Sequence, residues 1–166
     1  MKTVLLILLL CFLQTLLPAV SRATTTSINV VGEILPETCD ISTGDLRQSI
    51  DLGEFSVTNF PTTGSVTTPV QFSFNMTNCT AGISAANIRF SGPSVNSNLF
   101  SLQGSGDIAL ELLNPAGQTL VPGTRNRFSL AGGNNTLDFS MRLKSLRSPV
   151  TASDLSGTIF LDIEYE

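Results

Sequence analysis

Few side chains in this sequence are suited to chemistry, and two cysteines are the first of them. Cys39 and Cys79 remain once an N-terminal leader that contains Cys11 is set aside. The sequence has no histidine, so two cysteines alone cannot make a usual zinc site. In an exported chain, a disulfide is favoured over two free thiols. Closing a loop of about 41 residues would stabilise the fold by roughly 4 kcal/mol.

Carboxylate pairs are the remaining acid and base candidates. Asp51 with Glu54, and Asp162 with Glu164, fall on strand faces that we expect to be solvated, so a surface role is favoured for both pairs. The missing histidine removes the commonest general base, and no P-loop, G-x-S-x-G or G-x-G-x-x-G motif occurs. We therefore expect no catalytic residue, no metal, no cofactor and no small-molecule substrate.

The leader has the pattern of a secretory signal. Lys2 precedes an apolar stretch from Val4 to about Leu17, and small residues stand three and one positions before the expected cleavage after Ala23. An uncleaved anchor is disfavoured because the apolar run is short for a bilayer. The sequence thus predicts a signal peptide at 1–23 and export of the rest.

Charge and length narrow the class of protein further. Removal of Lys2 and Arg22 takes the formal net charge from −4 to about −6, which argues against binding to nucleic acid phosphates. The 143 residues that remain favour one domain with a real core, and we expect no separate receptor-binding domain.

Alternating apolar and polar residues recur along the chain and no window has a helical period, so we predict an all-β fold. The clearest strand is "PVQFSFNMTNC", in which Val70, Phe72, Phe74 and Met76 share one face. Cys79 falls out of this alternation, so we expect a bulge near Asn78. Further strands are predicted at 27–36, around 50–55, in "NIRFSG", in a hairpin turning at 114–117, at 137–144 and in "GTIFLDIEYE".

The first and last predicted strands are both amphipathic. In the first, one face consists of Ile28, Val30, Gly32 and Ile34. In the last, Ile159, Leu161, Ile163 and Tyr165 face inward, and the other face consists of Phe160, Asp162, Glu164 and Glu166. Sequential short strands with polar turns favour an immunoglobulin-like sandwich, and the absence of tryptophan counts against an antibody-type domain.

Three motifs together resemble a known family. They are the alternating arm with a central glycine before Cys39, the F-x-F-x-M-x-x-C run from Phe72 to Cys79, and the penultimate Tyr165. In these features the chain resembles pilin subunits of the bacterial chaperone-usher pathway, nearest to type 1 fimbrial subunits, major or minor. The resemblance covers essentially the whole mature chain.

The resemblance implies an incomplete immunoglobulin-like sandwich that lacks its last strand and is completed by a strand from another chain. It assigns 24–36 to an N-terminal donor arm and 37–166 to the pilin domain. It further implies capture of the edge at Ile159, Leu161, Ile163 and Tyr165 by a periplasmic chaperone, delivery to an outer-membrane usher, and head-to-tail joining to other subunits in a cell-surface fimbria that supports adhesion.

Two alternatives stay open at this point. From pattern alone the arm is an ordinary first strand of its own sandwich, and Tyr165 is a core aromatic at a strand end. The chain is alternatively a secreted immunoglobulin-like binding module, since Asn75, Asn78 and Asn134 begin glycosylation sequons.

Overall fold

The computed structural model describes residues 38–166, which form nine strands and a single 3₁₀ turn at Val57–Asn59. The strands are β1 (Asp40–Ile41), β2 (Val70–Cys79), β3 (Ala85–Ser91), β4 (Ser94–Val95), β5 (Leu99–Ser101), β6 (Ile108–Leu113), β7 (Arg125–Ser129), β8 (Gly133–Ser145) and β9 (Phe160–Tyr165). The prediction of an all-β fold is confirmed.

The strands build two antiparallel sheets. The larger sheet has the order β1-β2-β8-β6-β5-β4, and the smaller one has the order β7-β3-β9. Residues 38–166 belong to one compact unit. The predicted signal peptide and the predicted arm, 24–36, lie outside the described residues.

A cluster of phenylalanines joins the two sheets. Phe139 of β8 lies 5.7 Å from Phe72 of β2, ring centre to ring centre, in the same sheet. Across the core it lies 5.1 Å from Phe90 of β3 and 5.4 Å from Phe128 of β7, edge to face. Each such aromatic pair contributes about 0.5–1.5 kcal/mol beyond the apolar area it buries. The apolar faces of alternating strands therefore meet in one core.

The bulge predicted at the end of β2 is present. Asn78 has a φ of +52°, and the register between β2 and β8 shifts between Met76 and Cys79. Because the extra residue reverses the alternation, Cys79 turns inward and is buried. It forms the predicted disulfide with Cys39. That bond fixes the start of the described chain to the end of β2.

The turn predicted at 114–117 also forms. The backbone N–H of Asn114 donates to the carbonyl of Gln118 at 2.9 Å, and the N–H of Gly117 donates to the carbonyl of Asn114 at 2.8 Å. The Asn114 side chain accepts from two further backbone amides of the turn. Asparagine thus supplies the turn's acceptors, as its short amide commonly does.

The strand predicted around 50–55 is wrong. Residues 50–55 have no strand partner among residues 38–166, although Ile50 and Leu52 are half-buried and pack on the core. Ile50 and Leu52 alternate with polar residues, but a strand also needs a neighbouring backbone to bond to. This segment lies beside a groove instead of a strand.

No helix within residues 38–166 is long and apolar enough to cross a membrane.

Candidate strand-binding groove

A long groove of about 1890 Å³ runs along β9. On one side lie β9 and the connection that precedes it, residues 150–158, which we call the groove wall. On the other side lies the segment 46–57, which we call the groove rim. The floor is apolar and comes from both sheets: Phe72, Phe74, Phe90, Phe100, Leu110, Leu112, Met141 and Leu143.

One edge of β9 faces this groove. Among residues 38–166, β3 is the only strand that pairs with β9. Ala85 and Glu166 exchange both backbone hydrogen bonds, at 2.8 and 3.1 Å. In an antiparallel pair, residues alternate between bonding the partner and pointing away, so the same pairing recurs at Glu164 and Asp162.

It follows that Leu161, Ile163 and Tyr165 direct their backbone N–H and C=O groups away from β3. These three belong to the set that the sequence singled out, and their side chains are half-buried against the core. Each residue thus offers an outward donor and acceptor above an inward apolar side chain. A further strand could bond to this edge and fill the groove with its own side chains.

Tyr165 connects the edge to the disulfide. The Tyr165 hydroxyl lies close to the backbone amide of Cys39, which would favour the ionised phenol. Burial raises the pKa of the Tyr165 phenol above its ordinary value of 10.0, so the hydroxyl is protonated at neutral pH. The tyrosine is therefore a core aromatic that stands close to the start of the described chain.

The opposite face of β9 carries ion pairs, and this is where one of the carboxylate pairs lies. Asp162 bonds Arg89 of β3 at 3.0 Å, and Glu164 bonds Arg125 of β7 at 2.7 Å. All four side chains are exposed, so each pair contributes little to stability. Asp162 and Glu164 therefore lie on a solvated strand face, as the sequence predicted.

Exposed apolar side chains lie around the groove, and of these the sequence predicted only Phe160 to face outward. Leu46 is 64% exposed and Phe160 is 63% exposed, on opposite sides of the opening. Phe55 and Val57 of the groove rim are exposed as well. Of the five large apolar residues exposed in 38–166, only Val66 lies elsewhere. An apolar border of this kind marks a docking surface.

Within residues 38–166, no three His, Cys, Asp or Glu side chains are grouped so that they could hold a metal ion. The four arm residues singled out by sequence, Ile28, Val30, Gly32 and Ile34, lie outside the described range. What the geometry supplies is a strand edge above an apolar cleft.

Comparison with known proteins assigns the family. The profile of the family described as "Fimbrial protein" matches residues 28–166. The chain belongs to this family. The assignment agrees with the resemblance found in the arm, the second cysteine motif and Tyr165.

Curated relatives of this fimbrial protein match along most of their length. The uncharacterized fimbrial-like protein YcbU of Escherichia coli K12 is 26% identical over 151 residues, which cover 84% of each chain. Protein FimG of the same strain is 25% identical over 142 residues, covering 85% of this chain and 83% of FimG.

Solved structures share the fold. The P pilus rod subunit PapA is 25% identical, with a TM-score of 0.68, and the match covers 77% of this chain and 99% of PapA. A chaperone-usher pilus structure, 21% identical with a TM-score of 0.69, supports the same architecture. This fimbrial protein therefore has the incomplete immunoglobulin-like fold of chaperone-usher pilins.

Proposed function

We propose that the chain is a structural subunit of an adhesive fimbria, joined to its neighbours by strand donation. The observation that carries this proposal is the outward edge of β9 above the apolar groove. An occupant strand would bond to Leu161, Ile163 and Tyr165 through its backbone and place alternate side chains in the groove.

The proposed occupant is the arm, residues 24–36, of a second subunit. Its alternating face of Ile28, Val30, Gly32 and Ile34 suits an apolar cleft. Thirteen extended residues span about 43 Å at roughly 3.3 Å each, whereas β9 spans about 20 Å. The arm is therefore long enough to cover the whole edge. Because donor and acceptor surfaces differ, each addition leaves a new groove, and an open filament results.

An uncovered edge of this kind would promote aggregation before assembly. We infer that a periplasmic chaperone pairs with β9 after export, and that exchange for an arm takes place at an outer-membrane usher. Relatives named as a P pilus rod subunit and as FimG support these partners. The assembled subunit would then be displayed at the cell surface.

The proposed role is mechanical and not enzymatic. The family match over 28–166 also favours a pilus subunit over a secreted binding module, because the match includes the arm's apolar face. In this role the groove binds the donated strand, and the ion pairs on the outer face of β9 take no part in that binding.

Deletion of the arm tests the proposal. Cells that express the full chain should yield surface filaments in which mass spectrometry of sheared material finds this subunit. A variant without residues 24–36 should still be captured by the chaperone but should fail to donate a strand to a neighbour. Normal entry of the deleted variant into filaments, with a further subunit joined behind it, would contradict strand donation.

A further inference from the structure

A buried carboxylate lies outside the groove yet holds one of its walls. The Asp107 side chain is 3% exposed and stands just before β6. Its carboxylate accepts hydrogen bonds from Arg147 and, at 2.9 Å, from the backbone N–H of Thr151. Its own carbonyl accepts from the N–H of Leu146 at 2.7 Å. Leu146 and Arg147 lie in the connection between β8 and the groove wall, and Thr151 lies in the groove wall itself.

The groove wall has few other attachments. Most of residues 150–158 are exposed, and only Val150 and Leu155 pack on the core. Farther along, Gln103 and Ser156 exchange backbone hydrogen bonds at 2.8 and 3.2 Å. The wall is thus tethered at two places, by Asp107 at its start and by Gln103 near its end.

The second tether is sterically fixed. Gly104 has a φ of +93°, and a Cβ atom at this position would lie 1.8 Å from the backbone carbonyl oxygen of Asp154. Only glycine permits so close an approach of the two backbones. Since the paired backbones set the position of that end, the polar side chain that positions the start of the wall is that of Asp107.

We propose that Asp107 is a positioning residue of the groove, which holds the start of the groove wall in the place it needs for binding a donated strand. This inference rests on the proposed function for the identity of the captured strand. A wall held in its binding position loses less conformational entropy when the strand arrives, so capture is faster and release slower.

The electrostatics agree with this role. The hydrogen bond from the Thr151 amide, together with Arg147, outweighs burial and lowers the pKa of Asp107 below its ordinary value of 3.8. The carboxylate is therefore ionised at neutral pH, and its hydrogen bonds to the wall are charge-assisted.

Glu111 of β6 offers a matched control. Its side chain is 5% exposed and bonds Arg142 at 2.6 Å and Lys144 at 3.1 Å, both on β8. Like Asp107 it is a buried carboxylate of the β6 region with basic partners. Unlike Asp107 it has no hydrogen bond to the groove wall.

The test compares Asp107→Asn with Glu111→Gln in the complex of the full mature subunit with its periplasmic chaperone. A labelled peptide of residues 24–36 displaces the chaperone, and both its capture and its later release are timed. We expect Asp107→Asn to release the peptide about tenfold faster, since it weakens hydrogen bonds to the wall. Release from Glu111→Gln should stay within about twofold of the wild-type rate.

Hydrogen exchange on the same complexes gives a second readout. Amides of 147–153 should exchange faster in Asp107→Asn alone. Equal acceleration of peptide release in both variants, or unchanged exchange at 147–153, would overturn the positioning role. If the peptide binds no variant, including wild type, the proposed strand capture fails, while the exchange data still decide whether Asp107 holds the wall.

Discussion

The Tyr165 hydroxyl lies beside the backbone amide of Cys39, so the groove edge reaches the disulfide. One residue of β9 therefore lies both on the edge that would receive a strand and beside Cys39, which follows the proposed donor arm.

Tyr165→Phe removes this contact and little else. The ring still packs on the core, so we expect a loss of no more than about 1 kcal/mol, the contribution of one hydrogen bond, measured by urea unfolding of the mature subunit. Because the Cys79 disulfide holds Cys39 in place, the loss should shrink in a variant with both cysteines replaced by serine. An equal loss in both backgrounds would argue that the hydroxyl contributes independently of the disulfide.

The sequence alone was sufficient to predict strand β2 and the disulfide. The alternation from Val70 to Met76 and the break in parity at Cys79 are local signals, and both appear in the structure. The segment 50–55 misled because its alternation is real while its partner strand is missing from residues 38–166. Periodicity reports which face is buried, and a strand is defined by a neighbour's backbone.

Other parts of the site could not be read from the sequence. Leu46 and Val57 are single apolar residues among polar ones, a pattern that carries no periodic signal. Asp107 meets Arg147 and Thr151 across 40 and 44 positions of the chain. Only the fold brings such distant residues together.

The alternation along β9 predicts an alternating pattern of amide protection. The N–H groups of Asp162 and Glu164 bond β3, whereas those of Leu161 and Ile163 face the groove. In residue-resolved hydrogen exchange, the second pair should become protected when a peptide of residues 24–36 is bound. The first pair is an internal control, because its protection should already be present. Simultaneous protection of all four amides would indicate general stabilisation instead of pairing at this edge.

Acid should weaken the attachment of the last residue to its sheet. Hydrogen bonds from Arg127 and Asn87 lower the pKa of Glu166 below its ordinary value of 4.5. A carboxyl group whose pKa is lower in the folded than in the unfolded protein stabilises the fold at pH values above its unfolded pKa. This stabilisation is lost as the pH falls through its folded pKa. Glu166→Gln should therefore show a smaller drop in its unfolding midpoint between pH 7 and acid than wild type.

Arg127→Gln supplies the partner control for this acid effect. If the Glu166–Arg127 ion pair, 3.0 Å long, is responsible, then either single variant and the double variant should show the same reduced dependence on pH. If the double variant instead shows the sum of the two single reductions in pH dependence, Glu166 acts through some other group.

The arm's glycine gives the sharpest test of strand donation. Gly32 shares a face with Val30 and Ile34, which the proposal places in the groove of the next subunit. Gly32→Leu adds four carbons to that face, so entry of the arm should slow by about tenfold or more in an exchange assay with the chaperone complex. The neighbouring Val31→Leu adds one carbon on the opposite, outward face and should exchange at nearly the wild-type rate. Equal slowing by both changes would place the arm in the groove in another orientation, and equal wild-type rates would argue that the arm does not enter the groove at all.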